Sequence, residues 1–382
     1  MSRTLEFLDR LVSHDTVSAH SNLALIDWVQ AELTALGFRI ARFPSPDGTK
    51  AGLFAQIGPE GPGVILSGHT DVVPVTGQAW TCAPFRLTRR GARVHGRGTT
   101  DMKGFVAAMM SVAEEAAKRP LAAPLKLVLS YDEEVGCVGI QQMAAALRPH
   151  LDARDICLVG EPTELQIATG HKGKTAFRAV FHGEAGHSAL APRFANALHL
   201  AADFLSELRA LQDSFAAAPM VGSGHDIPYA TVHAGVLQGG QALNIVPERA
   251  EMQFELRHLA QDNTVDFSAR MRALADRVLA QHHPRFPKAA IELDVLTAYP
   301  GLEVAADAPV VATVQAWVPD ARQTKVAFGT EAGVFAALGV PTVVCGPGSM
   351  EGQGHKADEY IDLAQLDACD ALLHRALATL QS

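Results

Sequence analysis

Five separated stretches of this 382-residue chain carry histidine or carboxylate side chains in settings suited to metal chemistry. Ser67-Gly68-His69-Thr70-Asp71 follows the apolar run 64–66, and Tyr131-Asp132-Glu133-Glu134 follows the run 125–130. Gly160-Glu161-Pro162-Thr163 follows 156–159, and the Gly-rich loop after 342–345 leads to His355 and Asp358-Glu359. Asp101 stands in Gly98-Thr99-Thr100-Asp101-Met102-Lys103-Gly104, just ahead of a helical pattern. In open α/β sheets ligands bind beyond the carboxyl ends of the strands. Five segments thus deliver His, Asp and Glu to one edge. The spacing does not fit a helix-borne HExxH site, and no CxxC pair offers a structural zinc site. Scattered His, Asp and Glu suit two divalent ions about 3.5–4 Å apart, sharing a carboxylate and leaving positions open for water and substrate.

The elements that must position these residues are legible around them. Helical patterns open the chain at 4–13 and 22–36, the second ending at Gly37. Short Val/Ile/Leu-rich runs at 52–57, 64–66, 125–130, 156–159 and 342–345 read as strands buried on both faces, typical of a parallel sheet. Helical patterns at 104–118, 139–147 and 363–380 would cover it. The middle changes character: strand 175–181, helix 195–211, strands 230–237 and 251–258, helix 265–282, strand 289–295. Met252, Phe254 and Leu256 alternate with Glu251, Gln253, Glu255 and Arg257, as in a half-exposed antiparallel strand. The order βαββαβ is the ferredoxin-like arrangement. The fold class is therefore α/β. A first domain with a mixed, mostly parallel sheet covered by helices, carrying the candidate metal residues, spans 1–174 and 296–382, and an inserted ferredoxin-like α+β domain spans 175–295.

Composition narrows the partners. Lys and Arg total 32 against 41 Asp and Glu, a formal net charge of −9. Nucleic acid and anionic membranes need a positive face, so neither is expected as a partner. No apolar run reaches the length of a membrane span. The segment MSRTLEFLDRLVSHD reads as an amphipathic helix rather than a secretory signal. The five cysteines are an odd number and scattered, as in reduced thiols. The expected location is the cytoplasm.

SGHTDVVP, GRGTTDMKG, YDEEVG, GEPT and GHKADEY resemble, in order and spacing, the dinuclear-zinc amidohydrolases of the acetylornithine deacetylase, succinyl-diaminopimelate desuccinylase, aminoacylase and carboxypeptidase G group. GEAGHSA and GGQALNIVP extend the resemblance across nearly the whole chain. There are two departures. Relatives more often read GHSS where this chain has Gly186-His187-Ser188-Ala189, and often carry Gln-Pro where it has Lys356-Ala357. The resemblance implies two divalent metal ions, zinc first and cobalt as the alternative. His69 and Glu161 would ligate one, Glu134 and His355 the other, and Asp101 would bridge. Asp71 would hydrogen-bond the His69 imidazole and fix its tautomer. Glu133 would be the general base acting on metal-activated water, and the 101–102 peptide would be cis. The first domain would be the metal-binding catalytic domain and 175–295 a lid and dimerisation domain, with His187 donating to the oxyanion from the lid of the partner in a homodimer.

Asn244 and Arg257 match lid positions that grip substrate in such relatives. Thr330 and Glu331 fall in a loop resembling the substrate loop of the deacetylase branch, where Glu331 would favour a cationic side chain. The resemblance thus implies a small N-acyl amino acid as substrate. Hydrolysis of N2-acetyl-L-ornithine to L-ornithine and acetate, a step of arginine synthesis, stands first. Desuccinylation of N-succinyl-LL-2,6-diaminopimelate, broader N-acyl-amino-acid or carboxypeptidase action, and a non-catalytic metal-binding protein stay open. Most of the 16 histidines, His282 and His283 among them, show no partner pattern.

Overall fold

The computed structural model describes residues 2–262 and 264–381. They form two compact units, Met1–His171 with Leu302–Ser382, and Lys172–Gly301. The first is built on a mixed sheet whose centre is four parallel strands in the spatial order Leu125–Ser130, Val64–His69, Ile156–Pro162, Thr342–Gly346. Arg39–Pro44 and Ala51–Ile57 extend one side antiparallel, and Ile167–His171 and Leu302–Glu303 extend the other. The 52–57 run is buried on both faces, yet its strand runs antiparallel to Leu125–Ser130. Helices Leu23–Ala35 and Val138–Leu147 pack against it. Burial on both faces therefore follows from the helical cover and carries no information on strand direction.

Helix Lys103–Ala116 is buried along almost its whole circumference, between helices Arg3–Val12 and Leu363–Ala378 and against strand Val64–His69. Its alanines and methionines are what permit this, since a helix apolar on every side must sit inside a core. The helix also comes very near the strand that carries Glu161. A Cβ on Gly160 would lie 1.9 Å from Cγ of Phe105, so only glycine can stand next to Glu161 there. At the start of the parallel strands, Lys126 and Asp155 form a fully buried ion pair at 2.7 Å, and the same carboxylate accepts from the amides of Gly63 and Asp152. A small sheet of Thr88–Arg90, Arg93–His95 and Tyr360–Asp362 had no signal in the apolar pattern, because its strands are three residues each and partly exposed.

The second unit is a four-stranded antiparallel sheet in the order Thr231–Gly239, Arg249–His258, Gly173–His182, Ala290–Tyr299. Helices Ala197–Ala216 and Thr264–His282 close over the face bearing Phe177, Phe181, Met252 and Phe254. The opposite face carries ion pairs such as Arg178–Asp294 at 2.7 Å. Among the described residues no helix is long and apolar enough to cross a membrane.

Candidate metal centre

His69 ends a central strand and is fully buried. Its Nδ1 lies 2.9 Å from the main-chain oxygen of Asp71. A carbonyl can only accept, so in the neutral ring Nδ1 carries the proton and Nε2 keeps the lone pair. Nε2 faces Asp101 Oδ1 at 3.1 Å and Glu161 Oε1 at 3.7 Å. The tautomer is thus set chiefly by the Asp71 carbonyl, its carboxylate being farther off at 3.5 Å. That carboxylate accepts instead from the amides of Glu133 and Glu134, at 3.0 and 3.3 Å, and from Ser18 Oγ at 2.7 Å. Asp71 therefore ties the strand carrying His69 to the loop carrying the acidic pair.

Asp101 precedes a cis peptide bond to Met102, as the resemblance implied. Its two oxygens point to different histidines: Oδ1 to His69, and Oδ2 to His355 Nε2 at 3.4 Å. Glu134 Oε2 lies 3.1 Å from the same His355 nitrogen. Donor atoms of His69, Asp101 and Glu134 lie within 4.8 Å of one another, and so do those of His69, Glu133 and Glu161. Cys137 Sγ donates to Glu133 Oε1 at 3.3 Å.

The electrostatics describe a place short of positive charge. Burial pushes the Glu133 and Glu161 carboxyls well above the usual carboxylate range, with the neighbouring acids adding to the effect. Burial and Asp101 take Glu134 up to about 7. Hydrogen bonds to Asp101 and Glu134 raise His355 to about 10. Glu161 Oε1 is buried with no hydrogen-bond partner among the described residues. A buried carboxylate oxygen left without a donor, facing an imidazole lone pair, is what a cation ligand looks like without its ion. The nitrogen and oxygen donors fit a divalent ion such as zinc or cobalt.

Thr330 and Glu331 are buried at the start of helix Ala332–Ala337. Thr330 Oγ1 accepts from the Ala332 amide at 3.0 Å. The Glu331 carboxylate is 1 % exposed and is held by the Ser130 and Ser67 hydroxyls. Burial pushes its carboxyl up to about 7 from an ordinary value of 4.5. A folded-state pKa above the unfolded one means stability that is full below about pH 4.5 and lost as pH rises through about 7. In metal-free protein, Glu331→Gln should therefore shrink the loss of unfolding free energy between pH 5 and pH 8 by about 1–3 kcal/mol. Denaturant titrations at the two pH values check this, and an unchanged difference contradicts it.

The other residues put forward by the sequence lie in the second unit. His187 forms a short ladder with Ile245, and its Nδ1 accepts from the Ala189 amide at 3.1 Å. The neutral ring then carries its proton on Nε2, as a hydrogen-bond donor. Asn244 is exposed, and its main-chain oxygen accepts from Ser188 at 3.0 Å. Arg257 is half-buried and bonded through Nε to Glu255 at 2.8 Å. Sequence reasoning noted Glu359 without a role, although its carboxylate meets the backbone that carries Asp101. Its place in the same GHKADEY stretch as His355 was the available signal.

A model of the peptidase family M20/M25/M40 matches residues 65–379. An acetylornithine deacetylase of Myxococcus xanthus is 35 % identical over 377 residues, covering 97 % of this chain and 96 % of that one. Among solved structures, an M20 family metallo-carboxypeptidase of Sulfolobus solfataricus superposes with TM-score 0.79 at 18 % identity, over 99 % of both chains. A dinuclear metal-binding peptidase of the M20 family from Bacillus subtilis does so with TM-score 0.66 at 15 % identity, over 99 % of this chain and 98 % of that one.

Proposed function

The chain belongs to peptidase family M20/M25/M40, and from that premise we propose that it hydrolyses the amide of N2-acetyl-L-ornithine to L-ornithine and acetate, in the service of arginine synthesis. The observation that carries the substrate is the full-length likeness to a relative of that name. The site supports the reaction class.

His69, Glu161, Asp101, Glu134 and His355 would hold two divalent cations, Asp101 between them. When bound, such ions polarise an acyl carbonyl and make water more acidic. The chain's own groups do the rest. Glu133 takes the proton of the attacking water and returns it to the leaving amine. The Cys137 thiol occupies Glu133 Oε1, which leaves Oε2 for that proton. Asp71 holds the Glu133 and Glu134 amides, so the base and its neighbouring ligand move together with His69. His187, presented by the lid of a partner copy, donates Nε2–H to the developing oxyanion. The inserted 175–295 domain would thus serve as lid and dimerisation domain. Asn244 and Arg257 remain candidates for the substrate carboxylate; for Arg257 this requires sharing the guanidinium with Glu255. Zinc is the preferred ion, with cobalt able to replace it.

Chelator-treated protein is expected to lose hydrolysis of acetylornithine by at least about 10²-fold and to regain it with added zinc or cobalt. N-succinyl-diaminopimelate and acetylmethionine, assayed in parallel, should be hydrolysed far more slowly. Chelator-insensitive turnover would remove the metal reading, and preference for the succinyl substrate would replace the acetylornithine reading with a desuccinylase.

A further inference from the structure

The buried carboxylate of Glu359 lies outside the ligand set, yet its hydrogen bonds go to the loop that ends at Asp101. Oε2 accepts from Arg97 Nη1 and the Gly98 amide, each at 2.9 Å. Oε1 accepts from the amides of Thr100 and Asp101, at 2.8 and 3.1 Å. Main chain adds to this: the Gly96 amide donates to the Glu359 carbonyl at 3.0 Å, and Tyr360 pairs with His95 in the small sheet. Arg97 then carries the connection onward. Its Nη2 donates to Gln78 Oε1 at 2.5 Å, and Gln78 Nε2 donates to the main-chain oxygen of His355 at 2.9 Å.

We infer that Glu359, through Arg97 and Gln78, is a positioning residue that sets the spacing between Asp101 and His355 and so the affinity for the cation held between them. The inference rests on the metal reading above. One end of the network grips the amide of Asp101, and the other grips the carbonyl of His355. These are the residues whose side chains meet at 3.4 Å. His355 is half exposed and sits at positive φ on a loop, so its side chain has little packing to fix it. His69 and Glu161, by contrast, are placed by central strands and need no such clamp.

The chemistry of the clamp is specific to a carboxylate. Each Glu359 oxygen takes two N–H donors, so a glutamine would aim its NH2 at two donors whichever way it turned. The test is the binding of zinc to metal-free full-length chain by calorimetry, with absorption of the cobalt-loaded form as a second readout. Glu359→Gln should bind the first equivalent within about threefold of the parent and the second about 10–100-fold more weakly. The cobalt spectrum of the second equivalent should change with it. Gln78→Ala cuts the network away from the core and should weaken the second equivalent about tenfold. It keeps the inference testable if Glu359→Gln does not fold. Both equivalents binding as in the parent, or both weakening alike, overturns the inference. His355→Ala separates the two levels. If it loses the second equivalent while Glu359→Gln and Gln78→Ala do not, only the clamp fails. If His355→Ala leaves both equivalents intact, or the parent binds no ion, the metal reading itself fails.

Discussion

Glu133→Gln is expected to leave the fold and both cation equivalents in place while lowering kcat by about 10²–10⁴-fold. The substitution keeps shape and hydrogen-bonding reach but removes the only property the proposed mechanism asks of this side chain, the ability to take a proton and give it back. Its surroundings suit that task. Burial, with the neighbouring acids, holds the carboxyl well above its ordinary range. The neighbouring Glu134 faces His355 at 3.1 Å, whereas the Glu133 carboxylate is bonded to the Cys137 thiol. KM should change little, because the amide-for-acid swap does not touch substrate binding. The geometry also supplies the competing outcome. Donor atoms of Glu133, His69 and Glu161 fall within 4.8 Å of one another, so Glu133 is close enough to act as a ligand. A Glu133→Gln variant that binds one equivalent fewer would make it one. Turnover near that of the parent would end its role as base.

Asp101→Ala should have the larger effect on metal. Its two oxygens face His69 and His355 separately, at 3.1 and 3.4 Å, whereas Glu161 faces His69 and Glu134 faces His355. Loss of this group removes a donor from each proposed cation position and the charge that lets two dications sit side by side. Both equivalents should weaken, the second by at least about 10²-fold, with activity falling in parallel. Metal analysis after dialysis, together with far-ultraviolet circular dichroism, separates this from unfolding. Two tightly held equivalents in the variant would show that the ions do not share Asp101. The bond from Asp101 to Glu359 is made by its main-chain amide, which alanine keeps, so the fold should tolerate the substitution.

Much of the candidate site was legible before the structure, because its proposed residues lie at the ends of strands whose apolar runs are strong. His69 ends Val64–His69, Glu161 lies within Ile156–Pro162, and Glu133 and Glu134 follow Leu125–Ser130. Three neighbouring parallel strands must bring their carboxyl ends together, so adjacency of these residues follows from strand order. Asp101 and His355 were harder. Both sit on loops, and only motif spacing placed them. Glu331 shows the limit: its motif suggested a substrate contact, while its surroundings turn the carboxylate towards Ser67 and Ser130.

What the sequence determined by itself was the residue chemistry, the alternation of buried and exposed positions, and the order in which the segments reach one edge. Those properties are local, repeating every two or 3.6 residues, and survive being read one stretch at a time. Which group meets which was decided only by tertiary structure. The Asp71 carbonyl, nearer than its carboxylate, holds the His69 ring. Ser67 and Ser130 enclose Glu331, and Glu359 meets the amide of a residue 258 positions earlier. A hydrogen bond needs its donor and acceptor within a few tenths of an ångström of about 3 Å, a condition set by the packing of distant segments and absent from any local pattern.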